Sequence, residues 1–322
     1  MERYSHKYER IEKRYGRWGI FAVFGVLLVI YFCFWTARRS PLWRTTVVIA
    51  NDPVVVVSID SQQRRAAVIV VPADTQIEAV SGYGQYSLES LWKLGAIDKK
   101  DGDILAESIQ ELLGIPVQWY IGPSKENNIW TVSDPQALVS HVFSLQGLVR
   151  YISSSYRTNM PFLRMVRLKV ALNGVAGNQY KRIVLVPDNA ITMKEQPDGT
   201  TMPTVDLSRL DVLLGNMFEN EKIRKDAESV AIYNTTSISS LGSRVGRMLS
   251  KLGVFVVSIG NNPVGLSQCE LEGSSEALNR ETAKMIDAIF HCRKISARGM
   301  LRADLELRLG MDYAKRFVHE GN

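Results

Sequence analysis

An uninterrupted apolar stretch near the N-terminus constrains this chain more than any other feature. Residues 18–37 read WGIFAVFGVLLVIYFCFWTA and contain no charged side chain. A helix of this length spans about 30 Å, the thickness of the hydrocarbon core of a bilayer. Trp18 and Trp35 lie near the two ends, where aromatic side chains anchor a span at the membrane interfaces. The stretch is longer than the apolar region of a signal peptide and therefore predicts a transmembrane helix.

The basic residues on either side of this stretch predict its orientation. Six precede it and three follow it, namely Arg3, Lys7, Arg10, Lys13, Arg14 and Arg17, then Arg38, Arg39 and Arg44. Because basic residues are enriched on the cytoplasmic side of a span, residues 1–17 are expected to form a cytoplasmic tail. We therefore predict a single-pass protein of the cell membrane, in contact with the lipid bilayer, with the bulk of the chain outside the cytoplasm.

The net charge of +6 comes from the neighbourhood of the predicted span. The first 17 residues contribute +3, and Arg38, Arg39 and Arg44 contribute the other +3, so that residues 45–322 sum to zero. Domains that bind nucleic acid concentrate positive charge in their folded part. The charge distribution therefore argues against a nucleic-acid partner, and with it against a transcriptional regulator.

Two of the three cysteines lie outside the predicted span. Cys33 is inside it, which leaves Cys269 and Cys292. In an oxidising compartment these two could form a disulfide, and two unpaired buried thiols are the alternative. Neither the cysteines nor the four histidines show the spacing of a metal site.

The apolar pattern after the span predicts alternating strands and helices. A hairpin is expected from Val54–Ile59 and Ala66–Val71. Helices are expected over Ser87–Leu94, Ile104–Leu113, Pro161–Leu172 and Asp206–Phe218. Asp134 and Pro135 mark the start of a further helix that runs to about Tyr151. Residues 188–204 predict a turn-rich connection.

The last hundred residues follow a more regular pattern. A charged segment, residues 221–228, marks a domain boundary before them. Strands and helices then follow at Ser229–Tyr233, Ile238–Leu252, Val254–Ile259, Gln268–Leu271, Ser275–Phe290, Arg293–Ser296 and Leu305–Leu309. The first six of these elements follow the order β-α-β-β-α-β, which predicts a small α/β sandwich with helices on one face.

This C-terminal part resembles the LytR C-terminal domain of bacterial cell-envelope proteins of the LytR-CpsA-Psr family. The resemblance is carried by Val230–Asn234, by Gly242 in the first helix, and by the endings Ala303–Leu307 and Leu309–Tyr313. Thr235 stands where the family usually has a glycine.

An earlier part of the chain resembles the core domain of the same family. Val54–Asp60 is similar to its opening strand, Val70–Thr75 to the strand ending in Ile-Pro-Arg-Asp-Thr, and Leu112–Tyr120 to its Leu-Leu-Gly-Ile-Pro stretch. The implied fold class is α/β. It comprises an N-terminal transmembrane helix, a shortened LytR-CpsA-Psr-like α/β domain over residues 45–220, and a small C-terminal α/β sandwich domain over residues 228–318.

Members of this family transfer glycopolymers from a polyprenyl-pyrophosphate carrier to peptidoglycan. The resemblance therefore implies arginines around the pyrophosphate and carboxylates that hold Mg²⁺. In this sequence the arginine of the motif is Ala73, and only the acids Asp52 and Asp74 carry over. These two are catalytic candidates if phosphotransfer persists, and only then is Mg²⁺ expected. Otherwise both suit turns at strand ends.

A long segment without acidic residues is the other candidate site. Residues 150–182 contain seven basic side chains, Arg150, Arg157, Arg164, Arg167, Lys169, Lys181 and Arg182. We consider the first five as candidates for binding an anion or a lipid phosphate. A solvated face, with acidic partners supplied by other elements, is the alternative.

We therefore expect a membrane-anchored, extracytoplasmic cell-envelope protein that acts as a binding or scaffolding module without a cofactor. Its expected partners are peptidoglycan or an anionic envelope polymer. The alternative is a divergent phosphotransferase that attaches a polyprenyl-pyrophosphate-linked glycopolymer to the cell wall. Such an enzyme would need an apolar groove with Asp74 at its mouth and arginines converging there.

Overall fold

The structure, a computed structural model, describes residue 25 and residues 43–124, 129–195, 199–262, 265–297 and 299–318. The cytoplasmic tail and the span predicted over residues 18–37 lie outside these residues, apart from Gly25. Among the residues described, no helix is both long and apolar enough to cross a membrane. Residues Leu42–Asn322 form one unit, distinct from Met1–Pro41.

The elements of this unit are numbered in chain order. The strands are β1 (Arg44–Ile49), β2 (Val54–Asp60), β3 (Arg65–Val71), β4 (Gln76–Ala79), β5 (Gly84–Ser87), β6 (Trp119–Pro123), β7 (Tyr156–Thr158), β8 (Tyr180–Val184), β9 (Ile191–Glu195), β10 (Thr201–Val205), β11 (Ser229–Asn234), β12 (Phe255–Asn261), β13 (Glu270–Gly273), β14 (Arg293–Ser296) and β15 (Leu305–Leu309). The helices are α1 (Leu88–Ile97), α2 (Asp103–Leu113), α3 (Pro135–Val142), α4 (Leu145–Ile152), α5 (Phe162–Asn173), α6 (Leu207–Leu214), α7 (Glu221–Asp226), α8 (Leu241–Lys251), α9 (Glu281–Phe290) and α10 (Met311–Ala314).

A six-stranded sheet in the order β7-β6-β1-β2-β3-β8 forms the centre of the N-terminal part. Strands β1 to β3 are an antiparallel meander, in which Arg44 pairs with Asp60 and Val54 with Val71. All seven residues of β2 are buried. Such a continuous apolar run is expected for a strand with both faces covered. Helices α1 and α2 contribute to the apolar core on one face, and α3 to α5 contribute to the core on the other.

A hairpin occupies the segment for which the sequence predicted a turn-rich connection, and that prediction was wrong. Strands β9 and β10 pair antiparallel, with Ile191 opposite Val205, and join β4 and β5 in a four-stranded sheet in the order β5-β4-β10-β9. Most of β9 is exposed, including Met193 and Lys194. Apolar and polar residues therefore do not alternate clearly along β9. That alternation is the sequence pattern by which a half-buried strand is predicted.

The helix predicted from Pro135 to about Tyr151 is in fact two helices, α3 and α4. The chain leaves the helical path at Phe143, and the Ser144 side chain accepts a hydrogen bond from the backbone N–H of Gly147 at 2.9 Å. This serine is the N-cap of α4. The helix predicted over Asp206–Phe218 also ends earlier, at Leu214, because Gly215 follows with a positive φ of 45°.

The C-terminal part is built on a five-stranded sheet in the order β12-β11-β15-β13-β14. Helices α8 and α9 contribute Leu249 and Ile286 to the same apolar core as β11 and β15. Gly242 and Gly246 let α8 approach β12 closely, since an added Cβ would lie 2.9 and 2.7 Å from side-chain atoms of Ile259. At the predicted domain boundary lies the short helix α7.

Candidate functional site

The two carried-over carboxylates lie at one end of the central sheet. Asp52 is in the turn between β1 and β2, and its backbone N–H donates to the carbonyl of Trp130 at 2.6 Å. Asp74 follows β3, and the pairing of Val54 with Val71 brings the two turns to the same sheet end. Both aspartates are exposed. Ala73, at the position of the family's arginine, is 2% exposed and packs in the core.

The two aspartates are not part of a larger cluster of metal-ligating side chains among the described residues. Across the part of the chain that the structure describes, no group of three or more His, Cys, Asp or Glu residues is placed to hold a metal ion. The ion pairs between described residues also do not involve Asp52 or Asp74.

The five basic candidates do not converge on one point. Arg157, on β7, is partly buried, lies 3.6 Å from a carboxylate oxygen of Asp101, and has its guanidinium 5.6 Å from the ring centroid of Trp92. It is held by structural contacts at the sheet edge. Arg150 belongs instead to α4, where it contacts His141.

The other three candidates, Arg164, Arg167 and Lys169, lie on α5. Burial, and then repulsion from Arg167, lower the pKa of Arg164, so these two guanidinium groups are neighbours. Lys169 lines a cavity of about 300 Å³, together with Gln136, Ser144, Asn173 and Tyr180. This cavity lies between α3 and α5, at the start of α4.

An aliphatic ridge on α4 was not predicted from the sequence. Leu145, Val149 and Ile152 are 73%, 65% and 69% exposed, and Val170 on the neighbouring helix α5 is 66% exposed. Their spacing of four and three residues places the three α4 side chains on one helix face. The apolar residues of this ridge are visible in the sequence. The single long helix predicted from Pro135 to about Tyr151, however, implies a different set of inward-facing residues.

The larger cavity, of about 500 Å³, lies between β4, α2, β10 and α8. Charged side chains at its wall are Glu78, Glu111, Lys194, Arg244 and Arg247. Asp74 is absent from its lining, as are the basic candidates of residues 150–182. An active transferase would need an apolar groove with Asp74 at its mouth. This cavity does not have that arrangement.

Two cations of α8 join the C-terminal part to the N-terminal part. Arg247 donates to the carbonyls of Glu111 and Leu112 at 2.8 and 2.9 Å, and Lys251 donates to the carbonyl of Leu113 at 2.7 Å. These carbonyls end α2, where a helix leaves its last acceptors without intrahelical partners. Asp211 of α6 pairs with both cations.

The charges at this junction shift one another's pKa values. Burial lowers the pKa of Lys251 to about 8, although Asp211 opposes that change. Burial would raise the pKa of Asp211, but hydrogen bonds from Arg247 and Lys251 outweigh it and hold that pKa below its ordinary value. The junction is therefore a tightly paired contact between the two parts of the chain.

Cys269 and Cys292 form a disulfide with a Cα–Cα distance of 4.5 Å. Both residues are buried, Cys269 just before β13 and Cys292 just before β14. The bond joins the starts of two neighbouring parallel strands, in which Glu270 pairs with Arg293.

The longer helices α8 and α9 and a mixed sheet of five strands make the C-terminal part a small α/β domain. The sequence profile of a family described as "LytR cell envelope-related transcriptional attenuator" matches residues 228–313. These residues therefore form a LytR-type C-terminal domain. The match confirms the predicted resemblance of the C-terminal part to the LytR C-terminal domain.

Comparison with solved structures found matches of low sequence identity and low TM-score. B. subtilis TagV is 12% identical with a TM-score of 0.37, over 53% of this chain and 94% of TagV. TagT bound to LI-WTA is 11% identical with a TM-score of 0.39, over 54% and 89% of the two chains. A transcriptional regulator from Enterococcus faecalis is 11% identical with a TM-score of 0.38, over 66% and 88%. No curated protein matched the sequence.

Proposed function

We propose that this protein is a membrane-anchored, extracytoplasmic binding or scaffolding module of the bacterial cell envelope that does not catalyse polymer transfer. The N-terminal span holds it at the membrane, and its folded part binds peptidoglycan or an anionic envelope polymer. The basic surface of α5, formed by Arg164, Arg167 and Lys169, is the proposed contact for the polymer.

The observation that carries this proposal is the environment of residue 73. A phosphotransfer site needs a cation fixed beside the pyrophosphate, where charge develops in the transition state. At this position the chain has a buried methyl group, in the core of the N-terminal part. The adjacent Asp74 is exposed and has no ion-pair partner among the described residues. Both features favour binding without catalysis.

The test combines a transfer assay with a binding assay on the full-length protein in detergent. The transfer assay supplies a polyprenyl-pyrophosphate-linked glycan, peptidoglycan and Mg²⁺, and compares the native chain with Asp74→Ala. We expect no turnover from either protein. Turnover that is lost in Asp74→Ala would overturn the proposal in favour of the phosphotransferase alternative.

The binding assay measures sedimentation with purified cell walls that carry or lack their anionic polymer. The variant Arg164→Gln/Arg167→Gln/Lys169→Gln should reduce binding to polymer-bearing walls by about tenfold, because each lost contact is charge-assisted. The matched control Lys222→Gln/Arg224→Gln/Lys225→Gln removes the same charge from exposed positions of α7 and should bind as the native protein does. Equal losses in both variants would mean that net charge, and not the α5 surface, governs binding.

A further inference from the structure

We infer that the aliphatic ridge of α4 docks on the surface of an anionic lipid bilayer. The ridge consists of Leu145, Val149 and Ile152. Exposed Val170 on α5 follows Lys169, which lines the same cavity as Ser144 at the start of α4. Isolated exposed aliphatic side chains are common on soluble proteins, but a contiguous row along one helix face marks an interaction surface. The inference rests on the membrane anchoring in the proposed function and names a second contact with the same membrane.

The ridge is held in place by the rest of the fold. The buried side of α4 contacts the end of α3 so closely that a Cβ on Gly147 would lie 2.0 Å from the carbonyl oxygen of Val142. At the other end of α4, the rings of Tyr151 and Phe162 lie 5.5 Å apart. The ridge is therefore the outward face of a packed helix, and its exposure is a stable feature of the fold.

The charges around the ridge identify the partner. Residues 135–187, which include α3, α4 and α5, contain seven basic side chains and no acidic one. Arg150 follows Val149 in the sequence of α4, and Lys169 precedes Val170 in that of α5. Apolar side chains bordered by basic ones are typical of helices that lie in the interface of an anionic membrane. A second copy of the same surface would instead place like charges opposite each other.

The start of α4 lies at the end of the sheet where the chain enters the fold. Ser144 lines the same cavity as Tyr180, and Tyr180 pairs with Ala66 at the start of β3. Asp60 pairs with both Arg65 and Arg44, so this is the sheet end at which β1 begins. Six residues separate Arg44 from the end of the predicted span at Ala37, a reach of at most about 25 Å. Because this connection is short, the ridge has a high effective concentration at the bilayer. A weak contact between the ridge and the lipid is then sufficient.

The test uses the full-length chain in lipid nanodiscs. The discs contain phosphatidylcholine with or without phosphatidylglycerol, and a trace of phospholipid with a photoactivatable diazirine in its acyl chain. Labelling is measured by mass spectrometry on the peptide that contains Val170, which no variant alters. We expect strong labelling with phosphatidylglycerol, and weaker labelling in high salt because salt screens the basic residues.

The variant Leu145→Ser/Val149→Ser/Ile152→Ser should reduce labelling of that peptide by about tenfold, since it removes the apolar surface that enters the lipid. The matched control Ile97→Ser/Val212→Ser/Met300→Ser alters three exposed apolar residues elsewhere and should leave labelling unchanged. Incorporation into discs without labelling at α5 overturns the docking inference alone. Failure of the native chain to incorporate overturns both the docking and the anchoring. Labelling that falls as the number of chains per disc rises would assign the ridge to a second copy.

Discussion

A buried carboxylate at the start of the C-terminal domain illustrates how single residues respond to their surroundings. Glu228 is 4% exposed, and its partner is Arg280, with a nitrogen-to-oxygen distance of 3.6 Å. Burial raises the pKa of Glu228 to about 7, against the opposing effect of Arg280. Nearby Asp226 and Asp304 raise the pKa further. The folded protein therefore favours the protonated form of Glu228 more than the unfolded chain does.

This pKa makes the stability of the protein depend on pH with a definite sign. The contribution of protonated Glu228 is fully present below pH 4.5 and is lost as the pH rises towards 7. At about 1.4 kcal/mol per pKa unit, the loss is at most roughly 3 kcal/mol. We expect Glu228→Gln to raise the Tm at pH 8 by a few degrees and to have little effect at pH 4, as measured by thermal unfolding in detergent.

Glu276 provides the matched control for this prediction. Its carboxylate lies 2.6 Å from the same Arg280, but its side chain is exposed. Glu276→Gln should therefore change the Tm little at either pH, as exposed ion pairs contribute little. A gain from Glu228→Gln that is equal at both pH values would contradict the raised pKa.

At the level of secondary-structure elements, the end of α2 depends on another helix far along the chain. The chain separation is 136 residues between Arg247 and Glu111, and 138 between Lys251 and Leu113. Gly114 ends α2 in the left-handed conformation, with a φ of 62°. An added Cβ there would lie 3.1 Å from the Arg247 guanidinium, so the glycine also leaves room for that side chain.

Removal of the Arg247 side chain should destabilise the protein measurably. Arg247→Ala leaves the carbonyls of Glu111 and Leu112 without their donor and separates Asp211 from one of its cations. We expect a loss of about 2–4 kcal/mol in the free energy of unfolding, measured by urea denaturation.

Arg244→Ala is the corresponding control, because Arg244 lies one turn earlier on α8 and reaches Glu111 only at 4.0 Å. Its loss should lower the free energy of unfolding by less than about 1 kcal/mol. Similar losses from the two variants would indicate that α8 packing, and not the capping of α2, is responsible.

The sequence was a good guide to elements whose apolar pattern is strong. The hairpin of β2 and β3 and the stop of α2 at Gly114 follow from a β-branched run and from a residue that adopts positive φ. The sequence-based prediction failed at Ser144. This residue is a helix N-cap within a continuous helical pattern, and it divides the predicted helix into two. The contacts of Arg247 could not be predicted, since nothing local links a residue of α8 to carbonyls of α2.

At the scale of the whole molecule, the disulfide relates the fold to its compartment. Cys269 and Cys292 are separated by 23 residues and join two neighbouring strands of the C-terminal sheet. Disulfides persist in oxidising compartments and are rare in the cytosol. The bond thus agrees with the extracytoplasmic location that we propose for the folded part.

Loss of this bond should destabilise the C-terminal domain. For a loop of this length, the double variant Cys269→Ser/Cys292→Ser should lower the free energy of unfolding by about 3 kcal/mol. Chemical denaturation with and without reductant measures the effect, and Cys33→Ser serves as the control that retains the bond. Alkylation of the unreduced protein should modify Cys33 alone. Modification of all three cysteines in protein isolated from cells would contradict an oxidising location.

The long-range capping of α2 also has a consequence for biogenesis. A ribosome delivers the chain N-terminus first, at roughly 5–20 residues per second. The end of α2 is therefore synthesised about 7–28 s before Arg247 and Lys251. During that interval the last carbonyls of α2 lack the donors that they have in the finished fold. The N-terminal part therefore gains these contacts only when α8 has been made, so that a nascent chain stalled or cleaved before α8 would leave an unfinished product for quality-control proteases.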